Sequence, residues 1–326
     1  MPAAKSHLLE IEGCEVSVTN LDKMIYPSGF TKGQAIEFYI RISNYLLPHL
    51  KGRPVTLKRY PNGVTGAHFY QKDAPKYTPN WVPRFPVPRR SGSADICYVL
   101  IDHLAALVWS VNLANLEIHP FLHRVPHLDI PTAMLFDLDP GDGAGILESA
   151  GVAFLLKDTL DGAGLRSFAK VSGSKGIQVF VPLNTQVHYA ETKLYARSLA
   201  ERLESVYPKL VISSMSKEKR KGKVLIDWSQ NSGFKTTVAP YSLRAKSALP
   251  YVSMPVKWEE LARAATRGTP DALYFTPDQA IARVSKEGDL FAPLLSLREK
   301  ISRVFKHAKK NTNLEDHASG ARQLRF

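Results

Sequence analysis

The chain has 326 residues, 44% hydrophobic and 22% charged, with a formal net charge of +13. That composition is that of an ordinary folded globular chain, and no apolar run approaches the length of a membrane-spanning helix. Its two cysteines, Cys14 and Cys97, are far apart in sequence, which excludes a disulfide framework or a zinc ribbon and suits a reducing compartment. The first residues, Met1-Pro2-Ala3-Ala4-Lys5-Ser6-His7, lack the apolar core of a signal peptide, so a cytoplasmic location and no membrane contact are expected. The basic balance points to a polyanionic partner, nucleic acid ahead of an anionic membrane.

Cys14 to Val18 reads as a short strand, followed by the loop Thr19-Asn20-Leu21-Asp22-Lys23. Thr31 and Gln34 form a capping box ahead of a helix with the apolar stripe Ile36, Phe38, Tyr39, Ile42, Tyr45 and Leu46. Lys32 falls in its first turn, where a cation opposes the helix dipole. Either the lysines are simply solvated, or an anion sits there, held by free backbone N–H groups, Lys32, Asn20 and Lys23. Arg53 to Tyr60 is a predicted strand, and Ala67 to Lys72 a second. Adjacent Phe69 and Tyr70, among basic residues, make either a stacking platform for a base or a core-and-surface pair. Residues 74–93, rich in Pro, Arg and Ser, are expected to form a long, basic, exposed loop. A helix is expected from Asp102 to Ala114. Leu116 to Pro120 is a short strand that delivers His119 to an edge, where an isolated His is more often structural than catalytic.

Met134 to Gly143 reads as a strand running into a Gly-rich turn. With period two, Asp137 and Asp139 share one face and Phe136 and Leu138 the other. Two neighbouring carboxylates repel unless a cation lies between them, and Mg²⁺ or Mn²⁺ suits such oxygen donors; a solvated acidic pair is the alternative. An amphipathic helix covers residues 145–163. Phe168 to Val171 and Ile177 to Leu183 are strands joined by the turn Ser172-Gly173-Ser174-Lys175-Gly176, whose glycines, hydroxyls and lysine could cradle a phosphate, although it is no Walker A sequence. Tyr189 to Val206 is a helix, and Lys217 to Lys223 a basic loop. Val224 to Trp228 is a strand that sets Asp227 among apolar residues, where it needs a cation or a hydrogen-bond partner. Beside Asp137 and Asp139 it would complete a three-carboxylate, two-metal site. From about residue 250 ordinary packing returns, with Trp258, Leu261 and Leu273 to Phe275 in the core. Arg303 to Phe326 reads as a frayed basic helix and tail. No internal repeat is found.

The motifs FDLDPG, SGSKG and DWSQNSGFKTTVAPYSLR, in this order, resemble the polymerase module of bacterial DNA ligase D, of the archaeo-eukaryotic primase superfamily, which acts in non-homologous end joining. The resemblance covers roughly residues 12 to 295. It implies an α/β (α+β) primase-polymerase fold: a central mixed sheet carrying the acids, helices around it, and a smaller N-terminal lobe across an active cleft. A catalytic domain over residues 1–300 and a basic tail at 301–326 follow from it. Asp137, Asp139 and Asp227 match the catalytic, metal-binding carboxylates, with two Mn²⁺ (or Mg²⁺) ions per site. His119, Ser172, Lys175, Gln230 and Arg244 match nucleotide-binding positions. Asn20, Lys23 and Lys32 match a pocket for the 5′-phosphate of a DNA end, Lys58, Phe69 and Tyr70 residues lining that end, and Arg220 an end-bridging loop. The implied partners are 5′-phosphorylated DNA ends, NTP or dNTP substrates, and Ku and a DNA ligase, with a monomer that pairs across a DNA synapse. The implied activity is template-dependent nucleotidyl transfer with a taste for ribonucleotides. Two positions depart from the family pattern: Gln178 stands where His is common, and Tyr70 where Phe is common. The ligase adenylation motif Lys-x-Asp-Gly is absent, so the chain is expected to join no strands itself. The rival readings are a metal-dependent nuclease, a non-catalytic end-binding module, and a free-standing primase-polymerase in another repair or primer-synthesis pathway.

Overall fold

The computed structural model describes residues 6–89, 91–92 and 94–301. The expected basic tail lies outside the described residues. The chain opens with β1 (Ser6–Ile11) and β2 (Cys14–Thr19), an antiparallel hairpin. Its two-residue turn, Glu12-Gly13, has φ of 51° and 75°, the positive pair that matches the twist of two hairpin strands. Only the second strand is expected from sequence.

The helix α1 (Lys32–Leu50) starts as the capping box predicts. The Gln34 N–H donates to Thr31 Oγ1 at 3.2 Å, and the Thr31 N–H to Gln34 Oε1 at 2.8 Å. The N-terminal sheet follows: β3 (Pro54–Arg59), β4 (Phe69–Gln71), β5 (Arg84–Val87), β6 (Ile96–Leu100), then α2 (Leu104–Asn112) and β7 (Asn115–Pro120). β3 pairs β7 on one side and, on the other, β6 and then β4; β5 pairs the outer side of β6. The expectation of a structureless loop over 74–93 is therefore corrected. Val82 and Val87 are buried there, and β5 forms despite Pro86 because it is an edge strand, where the missing N–H costs no ladder bond.

The second half begins with β8 (Ala133–Pro140) and α3 (Ile146–Gly162), then β9 (Phe168–Val171), β10 (Ile177–Pro182), α4 (Tyr189–Val206), β11 (Val211–Ile212) and β12 (Val224–Asp227). β13 (Met254–Val256), α5 (Trp258–Arg267), α6 (Pro277–Glu287) and α7 (Pro293–Ser296) complete it. The six-stranded sheet runs β11-β12-β8-β10-β9-β13. Its pairings are antiparallel except β11 with β12, so the sheet is mixed, as expected. Phe136 and Leu138 bury in the main core with Ile177, Val179, Ile226 and α3 residues Ala150, Val152 and Leu156. On the opposite face, Leu135 joins a second cluster with Phe180, Tyr189 and Phe291. That face of β8 thus starts apolar and ends acidic.

A strap over residues 236–243 ties the two sheets together. The Thr237 and Ala239 N–H groups donate to Pro120 and Ile118 carbonyls at 3.1 and 2.9 Å, and the Tyr241 N–H to Ser253 O at 2.6 Å. No helix among the described residues is long and apolar enough to cross a membrane.

At the end of β8 the turn beginning at Gly141 meets the basic loop before β12. The Gly141 N–H donates to Lys223 O at 2.8 Å, and the Gly222 N–H to Asp142 O at 2.7 Å. A Cβ on Gly141 would lie 2.0 Å from Arg220 O, a backbone contact that cannot relax by side-chain rotation. Gly141→Ala is accordingly expected to displace the 217–223 loop and to lower the unfolding free energy by about 1–3 kcal/mol, as overpacking does. Urea titration checks this, and an unchanged midpoint would contradict it.

Candidate active site

Strand register assembles the acids. Asp227 of β12 sits directly opposite Asp137 of β8, which sits opposite Gln178 of β10, which sits opposite Lys170 of β9. Directly opposed residues share a sheet face, so the row Asp227–Asp137–Gln178–Lys170 lies on one side, with Asp139 two residues along β8 from Asp137. Burial, then the Asp139 charge, pushes the Asp137 carboxyl up to about 7. Burial and the Asp227 charge raise Asp139 as well, against the nearby Arg220, Arg244 and Lys246.

Asp227 has the hydrogen-bond partners that its burial demands. Its Oδ1 accepts the Ser229 N–H at 2.9 Å and the Ser229 hydroxyl at 2.5 Å; its Oδ2 accepts Gln230 Nε2 at 3.2 Å. Lys235 Nζ donates to the same Ser229 hydroxyl. Among the described residues, no three His, Cys, Asp or Glu side chains are already drawn into a metal cage. The donor set fits a hard divalent cation all the same. Three carboxylates from adjacent strands share a face, and the mutual repulsion of their charges contributes to the raised Asp137 and Asp139.

The Ser172–Gly176 turn abuts this face. A Cβ on Gly176 would lie 3.4 Å from Asp139 Oδ1 and 3.5 Å from Ser172 Oγ, so both atoms border one small space. Gly173 has φ +70°, and a Cβ there would come within 2.7 Å of Arg244 Cγ. Ser172 is buried at the turn and Lys175 is exposed on it. Ser172 and Arg244 thus lie beside Asp139 and Gln230 beside Asp227, while Lys175 is exposed on the same turn. Gln178 donates to Thr237 Oγ1 at 3.0 Å.

His119, on β7, has a partner that the sequence did not reveal. His119 Nε2 lies 3.1 Å from Glu117 Oε2, Arg244 Nε lies 3.7 Å from that oxygen, and Lys58 Nζ lies 3.1 Å from Glu117 Oε1. Burial opposes charge on Glu117, yet the His119 hydrogen bond and the Arg244 and Lys58 charges hold its carboxyl far below the usual range. Burial lowers His119, with the Glu117 hydrogen bond opposing that shift. The alternation Glu117-Ile118-His119 was a signal for one shared face; the Lys58–Glu117 cross-strand pairing was not visible. Lys170 was missed too. It is fully buried on the acid row with Nζ on Ser253 Oγ at 2.5 Å, and burial and Arg244 lower it well below the ordinary lysine range.

The candidate DNA residues fall into two groups. Lys58 is 2% exposed, bound to Glu117 in the interior, whereas Phe69 and Tyr70 on β4 are 45% and 55% exposed. Lys58 Nζ lies 5.4 Å from the Tyr70 ring centre. In the other group, Asn20 and Lys23 border a surface depression of about 430 Å³ lined also by His7, Leu21 and Asp22, and Lys32 lies outside that lining. Asn20 takes φ 54°, a left-handed conformation that Asn tolerates. Lys32, 6% exposed, donates to Thr19 O at 2.5 Å, and exposed Lys23 to Pro61 O at 2.6 Å.

One expectation is corrected here. The first-turn amides of α1 are not free: Lys32 N–H donates to Lys23 O at 2.9 Å, Gly33 N–H to Leu21 O at 2.8 Å, and Gln34 N–H to Thr31. The loop folds back so tightly that its own carbonyls cap the helix. Any anion there is left to side chains, chiefly Lys23 and Lys32. Arg220 donates to Met215 O at 2.7 Å within the loop packed over Gly141.

A mixed sheet that carries three carboxylates beside a Ser-, Gly- and Lys-bearing turn defines a nucleotidyltransferase of the primase-polymerase class. More narrowly, the chain belongs to the LigD primase-polymerase domain family, whose model matches residues 31–291. It is 37% identical over 282 residues to the multifunctional non-homologous end joining protein LigD of Mycolicibacterium smegmatis, covering 86% of this chain and 36% of that protein. It is 34% identical over 280 residues to the bifunctional LigD of Bacillus subtilis, covering 84% of this chain and 43% of that protein. Among solved structures, the polymerase domain of Mycobacterium tuberculosis ligase D in complex with DNA matches with a TM-score of 0.79 and 38% identity, covering 87% of this chain and 99% of that one. The chain thus spans under half the length of these curated relatives. The family is metal-dependent.

Because protons compete with cations for a carboxylate, Mn²⁺ binding is expected to weaken as pH falls through about 7, where Asp137 takes up its proton. Calorimetric titration with Mn²⁺ across that range checks it. Affinity indifferent to pH would contradict the assignment of Asp137 as a ligand.

Proposed function

We propose that this domain is a template-dependent polymerase that fills gaps and extends ends at double-strand breaks in non-homologous end joining. The observation that carries this reading is the register that brings Asp137, Asp139 and Asp227 to one face beside the Ser172–Gly176 turn. The names of the relatives, end-joining proteins, and the DNA bound to the similar solved domain support the pathway and the substrate. Two divalent ions held by the three carboxylates, Mn²⁺ or Mg²⁺, would supply Lewis acidity toward a primer hydroxyl and a departing pyrophosphate. Ser172, Lys175 and Arg244 bind and orient the triphosphate, and the cations offset the charge that builds on it. Gln230, bonded to Asp227, and His119, bonded through Glu117 to the Arg244 side, complete the nucleotide-binding set. Ribonucleotide preference, a cytoplasmic location, action as a monomer that pairs across a synapse, and partnership with Ku and a ligase belong to this proposal.

On the DNA side, Asn20 and Lys23 hold the 5′-phosphate of the downstream end in the depression they border, with the charge of Lys32 close to Lys23. Phe69 and Tyr70 offer exposed ring faces for a terminal base. Lys58 contributes from beneath, through the Tyr70 ring and the local field. Arg220 sits on the loop over the Gly141 turn, at the mouth of the acid face.

Asp137→Ala and Asp227→Ala are expected to abolish primer extension on a gapped duplex while leaving binding of the duplex within about twofold of wild type. Robust extension by either variant would end the catalytic assignment. Burial, then Lys23, lowers Lys32 to about 8, so Lys32 is charged below that pH and neutral above it. The preference for phosphorylated over hydroxyl ends is therefore expected to decline as pH rises past about 8, and Lys23→Ala to weaken it at lower pH. Competition binding with the two end types measures both; equal loss on both ends would assign these lysines a general electrostatic role.

A further inference from the structure

The oxygens of Glu117 divide between two sets of partners. Oε1 accepts from Lys58 Nζ at 3.1 Å, the Tyr60 hydroxyl at 2.9 Å and the Ala245 N–H at 3.1 Å. Oε2 faces His119 Nε2 at 3.1 Å and Arg244 Nε at 3.7 Å. The first set leads to the DNA side, because Lys58 lies under the Tyr70 ring and pairs across β3 and β4 with Tyr70. The second leads to the nucleotide side, because Arg244 touches the Gly173 turn. The two are also joined directly: the Tyr70 and His119 rings meet edge to face, with centres 6.1 Å apart.

A buried acid with this many donors is overdetermined in position, and so are the groups that share it. One carboxylate faces a lysine, an arginine and an imidazole, so the basic groups of the cluster outnumber its acid. Lys58 and Arg244 have no other acidic partner at ion-pair distance among the described residues. Glu117 is thus the acid that Lys58 and Arg244 share, and the one that fixes where each of them stands.

We propose that Glu117 is a positioning residue that holds the nucleotide-side groups His119 and Arg244 in fixed relation to the DNA-side groups Lys58 and Tyr70, so that DNA and nucleotide each strengthen binding of the other. The inference rests on the polymerase reading above. Glu117 touches neither substrate; it acts through its partners, and coupling between two ligands is what that arrangement transmits.

The test is calorimetric binding of ATP with Mn²⁺, alone and with a saturating 5′-phosphorylated gapped duplex, for wild type, Glu117→Gln and Glu117→Asp, with an unfolding temperature for each. In the wild type the duplex is expected to tighten ATP by about fivefold or more. Glu117→Gln is expected to weaken ATP by about tenfold and to abolish the enhancement, and Glu117→Asp, which keeps the charge, to restore part of it. Retention of the full enhancement in Glu117→Gln would overturn the inference. So would parallel loss of ATP affinity, duplex affinity and unfolding temperature in both variants, which would mark Glu117 as a residue of the fold alone. Wild-type protein that binds ATP with no help from the duplex also overturns it, while leaving the polymerase reading standing. Wild-type protein that binds no ATP removes that reading and this inference together.

Discussion

Everything in this molecule that bears on chemistry follows from holding like charges together. Asp137 and Asp227 face each other across two strands, and Asp139 lies two residues along from Asp137. Left to themselves three carboxylates would move apart, since like charges held at close range repel. They cannot separate, because β8 is a central strand whose other face, Phe136 and Leu138, is fixed in the main core. Apolar burial on one side of the strand is what forces the acids to coexist on the other. The crowding shows in the raised carboxyls of Asp137 and Asp139, and bound metal cations would relieve it.

Around this acidic centre the rest of the site is basic. The Ser172–Gly176 turn, Arg244 and the 217–223 loop close on it from three directions, and two glycines make the approach possible: Gly141 beneath the Arg220 backbone and Gly173 against the Arg244 side chain. The strap over 236–243 then ties this arrangement to the N-terminal sheet through β7, which brings Glu117 and His119 alongside. A chain of net charge +13 with three acids gathered on one sheet face has the charge distribution expected for a polyanionic substrate whose reacting phosphates lie between metal and cations.

Local rules made much of this legible in the sequence. The Thr31–Gln34 box, the alternation Asp137-Leu138-Asp139 and the Gly-rich turn between two strands each need only a few consecutive residues. The three ordered motifs led to the family. What stayed hidden depends on pairing between distant segments. Glu117 looked like one more strand residue until Lys58, 59 positions earlier, was placed opposite it. β5 was obscured by its own proline and by the mate that redeems it, β6, which also passed without notice. The free amides expected at the start of α1 were taken by carbonyls of the preceding loop, a fold-back that no propensity announces. Lys32 and Lys58 are buried cations, and sequence alone reads a lysine as solvated.

The central claim is that the three acids are one metal site. Its most direct measurement is a crystal structure grown with Mn²⁺ and a non-hydrolysable nucleoside triphosphate, with anomalous scattering recorded at the manganese edge. The account predicts two anomalous peaks within coordination distance of Asp137, Asp139 and Asp227, one of them shared with the triphosphate over the Ser172–Gly176 turn. Manganese found elsewhere, with Asp227 still committed to Ser229 and Gln230 and the triphosphate away from the turn, would contradict it.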